Sequence, residues 1–428
     1  MWLRRDLRLS DNAALYHALR SGLPVQIIFI FDTDILNQLE NKNDRRLVFI
    51  HRALQTVNDQ LKQHGATLHT YYGKPLDVWK NVLKDYKVEK VFANHDYEPY
   101  AQQRDNEIIN LLQSHSILFE TYKDQVVFEK DEVCKADGLP YTVFTPYKNK
   151  YLSQLNATHL KSYDNEKYFS AFLKQETKHI IALSEMGFNE DNILFPKNKV
   201  DNSILKKYET TRDFPAMDAT SHLSVHLRFG TVCIRQLMRQ AMENSALWTN
   251  ELIWREFYMM ILYKFPHVAT GAFKPRYNTI PWRNNEQEFE KWCHGNTGYP
   301  IVDAGMRELL ATGFMHNRVR MIVASFLVKH LLIDWKWGEA WFAKHLLDFE
   351  LSSNNGGWQW AASSGCDAAP YFRIFNPYEQ TKRFDSNLEY IKKWVPEFQE
   401  LTYPQPIVEH TFARNRCLAT YKLALQEK

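Results

Sequence analysis

The sequence predicts an α/β N-terminal domain with a doubly wound parallel sheet, followed by an all-α C-terminal domain. Three observations carry this. Short apolar runs alternate with segments of helical period through the first third. After about Ser203 the strand-like alternation largely disappears. Ten of the 12 tryptophans lie in that second region, as expected of large side chains filling a helical core.

Each element follows in order. Trp2–Asp6 opens as a very short strand, or as one whose first residues lie upstream. Val25–Phe31 is an apolar run broken only at Gln26, the mark of a strand buried on both faces. A helix from about Arg46 to His64 ends at Gly65, a left-handed cap. Thr67–Tyr72 alternates as a strand, Pro75–Tyr86 is helical, Lys90–Asn94 a strand, Tyr100–Ser114 a helix and Ile117–Tyr122 a strand. Strands alternating with helices make parallel βαβ units. Residues 1–127 form this domain. Residues 128–200, punctuated by Pro140, Pro146 and Pro196, read as a connector with short helices. In residues 201–428 helices are predicted at Ile234–Glu243, Leu247–Phe265, Ile301–Thr312, Val319–Leu332 and Glu339–Leu347, with Pro300 in a first-turn position.

The composition, with 45% hydrophobic and 24% charged residues, is that of an ordinary globular protein. A formal charge of +3 does not by itself imply a polyanion partner, so any nucleic-acid surface must be local. No run approaches the ~20 apolar residues of a membrane span, and the N-terminus lacks the n-region, h-region and small-residue cleavage site of a secretory signal. The five scattered cysteines form no CxxC pair, so a reduced, cytoplasmic protein is expected. A GxGxxG fingerprint, a phosphate-loop Gly-Lys-Ser/Thr, an HExxH zinc site and a GxSxG elbow are all missing, which disfavours dehydrogenases, P-loop NTPases, zinc hydrolases and serine hydrolases. No metal is expected.

Three segments are dense in chemistry. Asn354–Trp360 (NNGGWQW) puts amides and indoles around two glycines. It reads either as a loop around a planar ligand, its glycines taking up positive φ, or as a turn entering an aromatic helix. Thr220–Ser224 (TSHLS) clusters hydroxyls before a helix, as a cap or as a phosphate grip. In Met315–Met321 (MHNRVRM), Arg318 and Arg320 cannot share one helix face and should serve two partners. His316 has no ligand spacing and is expected to be a plain helix or surface histidine.

Together with Trp2–Leu9 (WLRRDLRL), Arg212–Pro215 (RDFP), Asn250–Tyr258 (NELIWREFY), Thr297–Arg307 (TGYPIVDAGMR), Ala324–Trp335 (ASFLVKHLLIDW), Asp367–Pro377 (DAAPYFRIFNP) and Tyr403–His410 (YPQPIVEH), these segments resemble the photolyase/cryptochrome flavoproteins, most closely the class I cyclobutane pyrimidine dimer photolyases. The resemblance runs in order along nearly the whole chain. It implies that the helical domain holds FAD, active as FADH⁻, and that the partner is DNA carrying such dimers. It also implies a monomer that engages no membrane. By the same resemblance Tyr208 and Thr220, Ser221, His222, Leu223 and Ser224 grip the diphosphate and ribityl chain. Trp248, Arg255, Asn317, Arg320, Asp348 and Glu350 line the flavin cavity, and Arg320 pairs with Asp348. Asn354 faces flavin N5. Trp254 and Trp360 wall the pocket for a flipped-out dimer, Glu251 binds the pyrimidine edge, and Tyr258, Asn317, Met321 and Gln380 complete the contacts. Arg212, Arg318 and Arg373 are the phosphate contacts. Photo-excited FADH⁻ would lend the dimer an electron, the ring would split, and the electron would return. Trp358, Trp335 and Trp282 match a chain that photoreduces oxidised flavin. Trp292, Trp337, Trp341 and Trp394 are assigned to core packing.

The chain departs from the family pattern in several places. Glu350 stands where Asp is usual, Phe314 where Trp is usual, and His222 where Arg or Gln is usual. Tyr97-Glu98 is followed by Pro99 rather than by the Asn-Glu pair of folate-using relatives, so a folate antenna is not supported. A deazaflavin, a second flavin or no antenna remain open. The competing functions are a cryptochrome-type blue-light receptor and a (6–4) photolyase. Asn354 and the Trp254/Trp360 pair favour repair over signalling, and Asn317 stands where (6–4) chemistry uses histidine.

Overall fold

The computed structural model describes residues 1–426. Its strands are β1 (Trp2–Leu3), β2 (Ile27–Asp32), β3 (Leu68–Gly73), β4 (Lys90–Asn94) and β5 (Leu118–Tyr122). The α-helices up to residue 244 are α1 (Ala13–Leu19), α2 (Thr33–Leu36), α3 (Arg45–Lys62), α4 (Pro75–Asp85), α5 (Pro99–Ser114), α6 (Phe144–Gln154), α7 (Asn202–Thr211), α8 (Ser224–Phe229) and α9 (Ile234–Asn244). Those beyond it are α10 (Ala246–Lys264), α11 (Glu286–Cys293), α12 (Pro300–Thr312), α13 (Asn317–Ser325), α14 (Trp335–His345), α15 (Leu351–Ala361), α16 (Pro377–Phe384), α17 (Glu389–Trp394) and α18 (His410–Gln426).

Packing divides the chain into two units. The first comprises Met1–Glu132, Tyr151–Val200 and His222–Asn244. The second comprises Val133–Lys150, Asp201–Ser221 and the described residues from Ser245 onward. In the first, β1, β2 and β3 pair in parallel, with Phe29 opposite Leu3 and Thr70, and β4 pairs in parallel with β5. All six residues of β2 are buried, which is why Ile27–Phe31 reads as an apolar run, and Asp32 closes the strand. Asp44 caps α3 by accepting from the Arg46 N–H, and Gly65 (φ +67°) turns the chain out of it. Arg8 and Arg235 share the buried Asp124 carboxylate at 2.7 and 2.9 Å, and Arg235 also binds Asp11 at 2.8 Å.

The second unit is helical. Its core gathers α12, α13 and α15 around Trp292, Tyr299, Phe326, Trp335 and Trp358. Trp292 is buried, and Trp337, Trp341 and Trp394 lie half-buried against the same core. The continuous helix expected over Val319–Leu332 is interrupted. Phe326–His330 widens into a π turn in which the Leu331 N–H reaches the Phe326 carbonyl five residues back. α14 starts at Trp335, a turn earlier than the period suggested, because Asp334 caps it by accepting from the Lys336 N–H. α6 lies inside the stretch read as a connector, and Pro146 fits there because it falls in the first turn, where no intrahelical N–H is needed. Among the described residues no helix is long and apolar enough to cross a membrane.

Candidate functional site

α10 supplies one wall of the site. Glu251, Trp254 and Tyr258 sit at i, i+3 and i+7, on one face of the helix. Glu251 accepts an ion-paired hydrogen bond from Arg212 at the end of α7. Burial pushes the Glu251 carboxyl above the usual range, against the pull of the Arg212 charge. The Arg212 guanidinium also lies over the Tyr208 ring at 5.7 Å. Asp213 accepts from Arg318 at 2.8 Å, and the Arg318 guanidinium stacks over Phe384 at 4.3 Å. Arg320 points to a different partner, Asp348, at 2.9 and 3.1 Å. The two arginines of MHNRVRM thus serve two carboxylates. His316, expected on a helix or at the surface, is buried and caps α13 by accepting from the Arg318 N–H.

α15 supplies the other wall. The reading of NNGGWQW as a loop with positive-φ glycines is corrected here: all seven residues lie within a regular helix, and neither glycine has positive φ. Gly356 is small for a different reason. A Cβ there would fall 2.2 Å from the Tyr258 ring, so its hydrogen lets α15 close onto α10. Asn354 donates its amide to the Glu339 carbonyl at 3.1 Å, and Asn355 donates to the Glu339 carboxylate at 3.0 Å. This leaves Asn354 Oδ1 as the acceptor of that side chain. Burial raises the Glu339 carboxyl to about 7. Arg255 and Glu350 form a buried ion pair at 3.4 Å, and Trp248 is buried in the first turn of α10. A cleft with about 290 Å³ of empty volume is lined by Tyr258, Phe273, Gln359, Trp360, Cys366 and Asp367.

Not every expected neighbour meets. Trp358 has Trp292 (6.0 Å) and Phe342 (5.0 Å) as ring partners, whereas Trp335 and Trp282 share its core without ring contact to it or to each other. Arg373 is exposed, Gln380 is half-buried with its carbonyl oxygen unpartnered, and Asn317 is exposed at the start of α13. Of TSHLS, Thr220 and Ser221 belong to the second unit and His222, Leu223 and Ser224 to the first. Sequence reasoning missed four participants: Asp213, Glu339, Phe144 and Asp367. Asp213 and Asp367 lie inside the segments RDFP and DAAPYFRIFNP and so carried a local signal, whereas Glu339 and Phe144 did not.

The donor set suits a flavin ring edge, which alternates acceptors and N–H donors. The Arg320 guanidinium, the Asp348 carboxylate and Asn354 Oδ1 offer complementary groups, and the buried Ser352 hydroxyl has no partner of its own. Residues 1–164 match the DNA photolyase family, and residues 248–402 match the FAD binding domain of DNA photolyase. The chain belongs to the DNA photolyase family. The match to that domain makes this photolyase an FAD enzyme. A deoxyribodipyrimidine photo-lyase of Synechococcus sp. is 36% identical to this photolyase, over 98% of its chain and 95% of the relative. Among solved structures, a bacterial class III photolyase from Agrobacterium tumefaciens superposes with a TM-score of 0.88 at 31% identity, covering 100% of this chain and 97% of that one. An archaeal photolyase from Sulfolobus tokodaii, described with two FAD molecules, gives 0.83 at 31% identity and 99% coverage of both chains.

Proposed function

We propose that this photolyase repairs cyclobutane pyrimidine dimers in DNA under light, with Trp254 and Trp360 as walls of the lesion pocket. The observation that carries the reading is the α10 face, where the Arg212-bound Glu251 carboxyl lies one turn from Trp254. A flipped pyrimidine offers two things to such a face, a flat ring to stack and an imide edge to hydrogen-bond. Glu251, held by Arg212, can meet the imide N–H of that edge as an acceptor. Arg212 and Arg318 enter already neutralised by Glu251 and Asp213, so a phosphate must compete with a carboxylate for each of them. Arg373, exposed, forms no ion pair among the described residues and is the first phosphate contact.

Arg320, Asp348, Asn354, Arg255, Glu350 and Trp248 would hold the FAD, with Tyr208, Thr220 and Ser221 at its diphosphate. When bound, reduced FAD supplies the photo-energised electron and takes it back. The protein orients the lesion, keeps water from it and offers hydrogen bonds where charge develops. Trp358, Trp335 and Trp282 would serve photoreduction of oxidised cofactor. The five cysteines are free, as a reducing compartment would leave them.

The test uses an oligonucleotide with a single thymine dimer and the reduced protein. Dimer loss should occur under blue or near-ultraviolet light and not in the dark. Equal recovery in the dark, or none under light, would refute the assignment. The absorption spectrum of the same preparation shows whether a second chromophore accompanies the FAD.

A further inference from the structure

We propose that Phe144 is a positioning residue: its ring backs Trp254, and Asp367, by holding the Phe144 backbone, sets the angle at which Trp254 meets a flipped base. The proposal rests on reading Trp254 as a lesion wall. The Phe144 and Trp254 rings lie 3.6 Å apart between centroids and 6° from parallel. That is close to a face-to-face sandwich, the arrangement aromatic quadrupoles favour least, so something must impose it. Two contacts do. The Phe144 ring abuts Phe257 edge-on at 5.9 Å, and the Phe144 N–H donates to Asp367 Oδ2 at 3.0 Å. Phe257 in turn meets Trp254 edge-on at 5.6 Å, and Tyr258 lies 5.4 Å from it. Phe144 is buried while Trp254 remains half-exposed. One indole face is therefore fully occupied from behind, and only the other is open to a base.

Asp367 also lines the cleft beside Trp360 and begins the segment that carries Arg373. The same carboxylate thus ties the backing of one wall to the neighbourhood of the other and to the exposed arginine. A residue that merely filled space would need neither a parallel ring nor a backbone clamp 223 positions away in sequence.

The experiment compares Phe144→Leu, Phe144→Tyr, Asp367→Ala and Asp367→Asn in the flavin-bound protein. Protein labelled with 5-fluorotryptophan reports the Trp254 fluorine resonance, assigned by its loss in Trp254→Phe. Phe144→Leu should shift that resonance, weaken binding of a dimer-containing oligonucleotide about three- to tenfold, and leave flavin content unchanged. Phe144→Tyr, which keeps the ring, should restore both. Asp367→Ala should follow Phe144→Leu, and Asp367→Asn, which keeps an oxygen for the Phe144 N–H, should follow the wild type. An unmoved fluorine signal, unchanged binding in Phe144→Leu, or a loss that Phe144→Tyr fails to restore overturns the proposal. Wild-type protein that prefers no damaged over undamaged DNA overturns the reading of the pocket instead. The fluorine signal, measured without DNA, tests the clamp separately.

Discussion

Two neighbouring glycines in one helix should respond to the same substitution with opposite signs. At Gly356 an alanine Cβ would lie 2.2, 2.3 and 2.8 Å from three atoms of the Tyr258 ring. Ordinary contact begins near 3.4 Å, so the ring or the helix must move by more than an ångström. The Tyr258 ring is hemmed in by Trp254 and Phe257 at 5.4 and 5.9 Å and has little room to yield. Overpacking of this kind costs about 1–3 kcal/mol, which the better helix propensity of alanine offsets only in part. At Gly357 the same Cβ meets nothing within 4 Å and points to solvent, so only the propensity gain of roughly 0.5–1 kcal/mol remains. For a unit of this size, about 2–4 °C accompanies each kcal/mol. Gly356→Ala should lower the midpoint of thermal unfolding, followed by circular dichroism, by several degrees, and Gly357→Ala should raise it by about 1–4 °C. Gly356→Ala should also weaken binding of dimer-containing DNA, because the displaced Tyr258 presses on Trp254. Shifts of the same sign in both variants would refute the steric account of the pair.

Two further outcomes follow from named groups. Glu339, near 4.5 when unfolded and about 7 when folded, contributes stability that is fully present below pH 4.5 and lost as the pH rises to about 7. Glu339→Gln keeps an acceptor for Asn355 and should flatten that slope, gaining roughly 3 kcal/mol relative to wild type between pH 4.5 and pH 8 in urea titrations. Arg320→Ala leaves the mostly buried Asp348 carboxylate unpaired and should loosen FAD about ten- to a hundredfold, read by ultrafiltration of the flavin, with Arg320→Lys intermediate.

Much of the architecture was legible because burial leaves a period. The all-buried β2 appears as an apolar run up to Phe31, and the helical periods of α3, α4 and α10 lie within one or two residues of their ends. The residues of α15 point only to a turn leading into an aromatic helix and not to a helix throughout, because Asn and Gly are weak helix formers and its stability comes from packing, Gly356 against Tyr258 and Asn355 against Glu339. The π turn at Phe326–His330 keeps the apolar pattern of an ordinary helix, so nothing in the residues announced it. The site was legible as a set of residue types, and the Arg320–Asp348 pair was anticipated from the family pattern. The ties between Arg212 and Glu251, Arg318 and Asp213, and Phe144 and Trp254 join residues 39, 105 and 110 positions apart, and no local period encodes them.

The shared Asp124 carboxylate bears on how the protein is made. Arg8 is translated early, but its companion Arg235 leaves the ribosome only after more than half the chain. Until then a carboxylate destined for burial has half its countercharge, and the strands around it lack α8 and α9. The first unit therefore cannot be completed as a nascent N-terminal domain in the usual vectorial manner. It must wait, partly assembled, while the opening segments of its neighbour are synthesised.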